Sequence, residues 1–169
     1  RLLMVNSPAN PTGGVVARAE LERLVAGLVD HPQVAVLSDE IYSHLVFENA
    51  DFASLTTFPE IADRLILLDG WSKTFAMTGW RIGFAAAPVP VAKAMSNLQD
   101  QVTSNPTSFA QKGAVKAYTM DSTEVDAMRD EFDARRQLMR AELGKIAGVI
   151  TPKTSGAFYL LPQLTTYLN

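Results

Sequence analysis

Four consecutive aliphatic residues, Leu65-Ile66-Leu67-Leu68, are followed by Asp69-Gly70, then a turn carrying one lysine, Lys73, then Gly79-Trp80-Arg81-Ile82-Gly83 and a second apolar run. An apolar run of strand length closed by a glycine-bearing turn reads as a buried strand. This arrangement sets Lys73 at the carboxyl end of that strand, and in an α/β sheet that edge is where ligands bind. The rest of the chain has to supply strands beside this one and helices to cover them.

It does so in an alternating order. Leu2 to Val5 reads as a buried strand, and the prolines and glycines of Asn6-Ser7-Pro8-Ala9-Asn10-Pro11-Thr12-Gly13-Gly14 make the loop at its carboxyl end. From Ala17 to Asp30, Leu21, Leu24, Val25 and Leu28 recur at the spacing of an amphipathic helix, which His31-Pro32 ends. Val34 to Leu37 is the next strand, with Ser38-Asp39-Glu40-Ile41-Tyr42 just past it. Strand, helix and strand make a βαβ unit, hence a parallel pair with a right-handed crossover. Asn10, Asp39, Tyr42 and Lys73 all lie just past strands. An acid in that place can equally cap a helix, and a lysine and an arginine beside a turn, taken alone, read as surface residues.

An irregular connection over Phe47 to Pro59 leads through a short helical piece, Pro59 to Arg64, into the lysine strand; Arg81 to Ala87 follows as a strand closed by Pro88 and Pro90. Val91, Met95, Leu98 and Val102 fall at helical spacing before Thr103-Ser104-Asn105-Pro106 breaks that helix, and the Met and aromatic residues of this stretch are expected to be core and not cofactor contacts. Thr107 or Ser108 caps the next one, which has a small-residue face of Ala110, Gly113, Ala114 and Ala117 with Phe109. Asp121 and Glu124 open a long helix from Thr123 to about Ala147, with Val125, Met128, Phe132, Met139, Leu143 and Ile146 on one side. Its charged face, with Arg129, Arg135, Arg136 and Arg140, is expected to be solvated. Val149 to Pro152 and Ala157 to Leu161 read as strands around the turn Lys153-Thr154-Ser155-Gly156.

With 15 basic against 18 acidic residues and a net charge of −3, neither a nucleic-acid nor a membrane-surface partner is expected. The chain has no cysteine, which excludes disulfides and thiolate metal sites and fits a reducing cytoplasm. His44, set apart from His31, makes no metal site by itself. No apolar run is long enough to cross a membrane as a helix. The sequence opens inside an apolar run and stops soon after another, as expected of a central piece of a larger protein.

The segment Ser72-Lys73-Thr74-Phe75-Ala76-Met77-Thr78-Gly79-Trp80-Arg81-Ile82-Gly83 closely resembles the lysine signature of fold-type I pyridoxal-phosphate-dependent aminotransferases of class I/II, in particular the bacterial aspartate aminotransferase subgroup. Asn10-Pro11-Thr12-Gly13 resembles a second motif of that family. The resemblance implies that Lys73 is the catalytic residue, joining the aldehyde of pyridoxal 5′-phosphate as a Schiff base, and that Arg81 pairs with the cofactor phosphate. It implies that Asp39 holds the protonated pyridine nitrogen, while Asn10 and Tyr42 bond the ring oxygen. The residue types suit these roles. A lysine can lose its proton and condense with an aldehyde, an arginine stays charged and forks onto phosphate, and an aspartate keeps the ring nitrogen protonated so that the ring works as an electron sink. Asn10-Pro11 is expected to be a cis peptide, aiming Asn10 inward.

The resemblance further implies an α/β fold, with residues 1–120 as part of the large cofactor-binding domain, its sheet mostly parallel with the last strand reversed. Residues 121–169 would be a linking helix and the start of a small α/β domain. It implies transamination between an amino acid, aspartate or a relative, and a 2-oxo acid, by a cytoplasmic homodimer. The alternative is an aminotransferase-like effector-binding module of a transcription regulator. Two departures stand out. Asp100 lies where animal-type aspartate aminotransferases place an arginine for the substrate's distal carboxylate. Gly70 lies where some relatives carry a phosphate-binding serine, three residues before the lysine. The family's glycine-rich phosphate loop, ring-stacking aromatic residue and α-carboxylate arginine have no counterparts here. Residues 1–169 alone are therefore expected to show no transamination in a coupled assay for 2-oxo acid formation, and measurable turnover without added partner would refute this.

Overall fold

The computed structural model describes residues 1–168, so Asn169, the last residue of the expected small-domain span, lies outside it. Four strands form one sheet in the order β1 (Leu2–Asn6), β2 (Ala35–Asp39), β3 (Leu65–Gly70) and β4 (Gly83–Ala86). The first three run parallel and β4 is antiparallel to β3, as the expected reversal of the last strand requires. The register sets Asn6 opposite Asp39 and Asp39 opposite Leu68, so the carboxyl ends of the parallel strands share one edge. Reversed β4 starts at that same edge, with Gly83 opposite Gly70.

Helix α1 (Arg18–Val29) makes the crossover between β1 and β2. Its start is fixed by the Ala17 amide, which donates to the Glu20 carboxylate at 3.2 Å. Leu21, Val25 and Leu28 bury one stripe of the helix against Val36, Leu55, Phe58, Ile61 and Leu65. Each such side chain contributes about 1.5–3 kcal/mol when fully removed from water. The 3₁₀ segments Leu55–Thr57 and Pro59–Arg64 deliver Leu55 and Ile61, and Phe58 between them a third, so the irregular connection has its own core function. Glu40 supports it: its carboxylate, buried, accepts from Ser38 Oγ at 2.8 Å and from the Leu55 amide at 3.0 Å.

Lys73 sits in a single helical turn, α2 (Trp71–Thr74), rather than an open turn. Trp71 is held against α4 (Ser108–Tyr118), whose Ala110, Ala114 and Ala117 are buried around it. The Trp71 indole N–H donates to the Ala114 carbonyl at 3.1 Å, a close approach that larger residues on that face would block. The small-residue stripe seen in the sequence thus seats two tryptophans, Trp71 against its alanines and Trp80 against Gly113, where a Cβ would stand 2.6 Å from the Trp80 ring. Phe109 points outward instead.

Three expectations are corrected. Helix α3 (Val89–Val102) buries none of its residues; Met95, expected in the core, is 40% exposed, and Leu98 and Val102 are 66% and 72% exposed, because no element among the described residues covers that face. Helix α5 (Thr123–Leu143) stops before Ala147, and its Arg136 is buried at 6% exposure rather than solvated. The two strands expected at 149–152 and 157–161 are reduced to one bridge, Ile150 with Gln163. The reason is that the backbone of residues 155–157 is engaged elsewhere. The Ser155 and Gly156 amides both donate to the Gly13 carbonyl at 2.9 Å, the Phe47 amide donates to Ser155 O at 2.9 Å, and the Ala157 amide donates to Leu45 O at 2.8 Å. Ala157 also takes a left-handed conformation, φ 54°, which no strand continues through.

This strap, residues 154–159, lies across the loops that follow β1 and β2. It fits only because Gly156 lacks a side chain: a Cβ there would stand 2.6 Å from Pro8 Cβ and 2.8 Å from Val15 Cγ2. Gly156→Ala is expected to destabilise the fold by about 1–3 kcal/mol, the usual cost of overpacking. Urea denaturation measures it, and an unchanged midpoint would mean that the strap is not closed onto Pro8.

Candidate active site

Each residue at the shared sheet edge is placed by a local device. The loop after β1 holds two cis peptides, Ser7-Pro8 and Asn10-Pro11; the second was expected from the sequence and the first was not. Asn6 staples this loop to β2, accepting from the Asn10 amide at 2.7 Å and donating through Nδ2 to the Asp39 carbonyl at 3.1 Å. Asp39, half-buried at the end of β2, accepts from the Ile41 amide through Oδ1 at 3.3 Å. The residues that follow form a turn and not a helix, so Asp39 caps no helix; its bond to the Ile41 amide instead shapes the turn that carries Tyr42. The second carboxylate oxygen of Asp39 has no hydrogen-bond partner among the described residues.

Tyr42 is buried at 3% exposure, and its hydroxyl forms a 2.5 Å hydrogen bond with that of Tyr159. Burial, the bond to Tyr159 and the nearby Asp39 charge all push the Tyr42 phenol well above its ordinary range, so it keeps its proton at neutral pH. Lys73 Nζ lies 5.6 Å from the centre of the Tyr42 ring and 5.2 Å from that of Phe158. Those two rings meet edge to face at 5.3 Å and 87°. Lys73 is half-buried and makes no ion pair among the described residues, so its amine is held by aromatic faces and not by an acid. Gly70, just before α2, brings β4 close: a Cβ there would stand 2.8 Å from Gly83 Cα.

Asp39, Tyr42 and Lys73 are thus neighbours. Asn10 joins them through Asn6, its own side chain exposed. Arg81 is set at the same edge by the pairing of Gly83 with Gly70, in a left-handed conformation of φ 50°, but its guanidinium bonds the Thr78 carbonyl at 2.9 Å and none of the other four. The residues present fit a phosphorylated pyridine aldehyde: a half-buried amine free of acids, a carboxylate with one open oxygen, a protonated phenol and an exposed guanidinium.

Sequence reasoning missed Phe158 and Tyr159, assigned to a strand, and Asp69, whose carboxyl is raised by burial and accepts from the Gly70 amide at 2.6 Å. It also missed Arg136. This guanidinium bonds Thr154 O at 2.6 Å, ion-pairs with Glu48 and Asp133 at 2.6 Å each, and lies over the Phe47 ring at 5.0 Å. It anchors the strap to α5. Hydrogen bonds from Arg136 and then Lys153 lower the Glu48 carboxyl from 4.5 to about 2. A depressed acid stabilises the fold fully above its unfolded value, and that contribution is lost as pH falls through the folded one. Urea midpoints between pH 5 and pH 2 should therefore fall less in Glu48→Gln than in the unsubstituted chain, and equal losses would contradict the assignment.

Residues 1–167 match the family model described as aminotransferase class I and II. The chain is 44% identical over 161 residues to the aspartate/prephenate aminotransferase of Cereibacter sphaeroides, covering 95% of this chain and 40% of that protein. It is 40% identical over 164 residues to the aspartate aminotransferase of Geobacillus stearothermophilus, covering 96% and 42%. Among solved structures, the aspartate aminotransferase of Rhizobium meliloti superposes with a TM-score of 0.93 at 35% identity, over 96% of this chain and 41% of that one. The aromatic aminotransferase of Pyrococcus horikoshii does so with a TM-score of 0.91 at 39% identity, over 96% and 44%. The chain spans about two-fifths of the length of the curated relatives it matches.

Proposed function

The chain belongs to the class I and II aminotransferase family, and from that premise we propose that it forms the cofactor-holding part of a pyridoxal-phosphate-dependent aminotransferase. The single observation that carries this reading is the Lys73 amine, free of acids and set between Tyr42 and Phe158 at the sheet edge where Asp39 ends β2. Lys73 would hold the cofactor covalently, Arg81 its phosphate, Asp39 its ring nitrogen, and Asn10 and Tyr42 its ring oxygen. When bound, pyridoxal phosphate supplies a ring that withdraws the electron pair left on the substrate's Cα.

The chain's own residues would do the rest. Asp39 would keep a proton on the ring nitrogen, since an opposite charge beside a titrating group favours its charged form. Tyr42, which holds its proton, donates toward the ring oxygen. Lys73 Nζ would take the proton from the substrate's Cα and return it as a general acid. Arg81 is exposed, so turning from Thr78 O toward a phosphate costs one exposed hydrogen bond and gains a charge-assisted, forked one.

For substrates we propose an amino acid, aspartate or a relative, and a 2-oxo acid, following the names of the relatives. Asp100 would repel a distal carboxylate, so recognition of that group falls outside these residues. Nothing in the fold or among these relatives favours an effector-binding module of a transcription regulator. Residues 1–120 would belong to the large domain and 121–169 to the link and the start of the small one. The open apolar positions of α3 and Phe109 support burial in a homodimer. A cytoplasmic location agrees with the lack of cysteine; no helix among the described residues is long and apolar enough to cross a membrane.

Incubation of the chain with pyridoxal phosphate, borohydride reduction and peptide mass spectrometry should place one pyridoxyl phosphate on Lys73. Lys73→Ala should abolish both that label and the visible absorption band. Labelling spread over surface lysines, with the band unchanged by the substitution, would overturn the proposal.

A further inference from the structure

We infer that Tyr159 is a positioning residue for Tyr42, fixing its hydroxyl through the phenol–phenol hydrogen bond and held in place itself by the strap of residues 154–159. The inference rests on the reading of Tyr42 as a ligand of the cofactor's ring oxygen, and adds a residue that reading does not contain.

The geometry is specific. The two hydroxyls are 2.5 Å apart, while the rings cross nearly edge to face, at 5.6 Å and 78°. Tyr42 is buried, so its hydroxyl has little access to water and depends on a protein partner. Whichever phenol gives the proton, the bond pins the Tyr42 oxygen at one point of the sheet edge. Tyr159 in turn has little freedom. The strap before it is bonded on one side to Gly13, in the loop that carries Asn10, and on the other to Leu45 and Phe47, beyond the turn that carries Tyr42. Arg136 holds its Thr154 carbonyl at 2.6 Å. The same strap sets Phe158 against the Lys73 amine. One segment therefore joins two cofactor loops and supplies the partner of the phenol between them.

The groups facing the Tyr42 side chain are Asp39, Tyr159 and Lys73. Burial, the bond to Tyr159 and the charge of an ionised Tyr159 all keep the proton on Tyr42. Tyr159→Phe keeps the ring and its packing and removes only the oxygen, which separates positioning from fold maintenance.

The test uses the full chain labelled with [13Cζ]tyrosine, with Tyr42→Phe to assign the Tyr42 resonance and Tyr167→Phe as a control at a distant phenol. In Tyr159→Phe, Tyr42 should ionise at a lower pH than in the unsubstituted chain, while Tyr118 titrates as before and the circular dichroism is unchanged. The Kd for pyridoxal phosphate should rise about three- to tenfold, the equivalent of one hydrogen bond, and stay unchanged in Tyr167→Phe. A Tyr42 titration unmoved by Tyr159→Phe overturns the inference. If pyridoxal phosphate fails to label Lys73 in the unsubstituted chain, the functional reading falls instead, and the Tyr42 titration still decides whether the phenol pair exists.

Discussion

The carbonyl of Gly13 accepts two amide hydrogen bonds, from Ser155 and Gly156, and the candidate site depends on that meeting. A parallel sheet brings the ends of its strands to one edge, but the loops beyond that edge have no ladder to hold them. Here the loop after β1 and the segment after β2 are joined by a strap more than a hundred positions away in sequence. Ordering such loops costs about 1–2 kcal/mol of backbone entropy per residue. The amides of Ser155, Gly156, Ala157 and Phe47, each paired at 2.8–2.9 Å, offset part of that cost where the ligand-facing residues need it.

Two glycines make the contact possible. Gly13 is left-handed at φ 67°, and a Cβ on it would meet Thr154 Cβ at 2.9 Å. Gly156 presses on Pro8 and Val15. Beyond the backbone, Arg136 supplies the long-range tie. A guanidinium in a place this dry is tolerable only when paired, and Glu48, Asp133 and the Thr154 carbonyl pair it. The helix that leaves the sheet domain is thereby fastened to the strap that closes over the site.

Much of this was legible in the sequence. Apolar runs and helical spacing located the four strands and the helices α1, α3, α4 and α5 to within a few residues, because the period of the apolar residues records the local backbone conformation wherever the partner lies. Asn10, Asp39, Tyr42, Lys73 and Arg81 stood out because each follows or precedes a strand end and because their motifs resemble a known family. What could not be read was whatever depends on a distant partner. Tyr159 and Phe158 sit in an apolar run that fits a strand, and nothing local tells that Gly13, Leu45 and Phe47 take up its backbone bonds. Arg136 lies among other arginines on a charged face, and Glu48, Phe47 and Thr154, all outside its helix, distinguish it. The apolar positions of α3 carry core spacing, yet no element among the described residues covers them, which spacing alone does not reveal.

The central claim, that residues 154–159 close onto the loops after β1 and β2, is tested most directly by amide hydrogen exchange resolved by residue. The amides of Ser155, Gly156, Ala157 and Phe47 should be protected to an extent comparable with those of β2, since their opening requires separation of the loops that flank the strand ends. Exchange of these four at the rates of an open loop, with β2 still protected, would contradict the account.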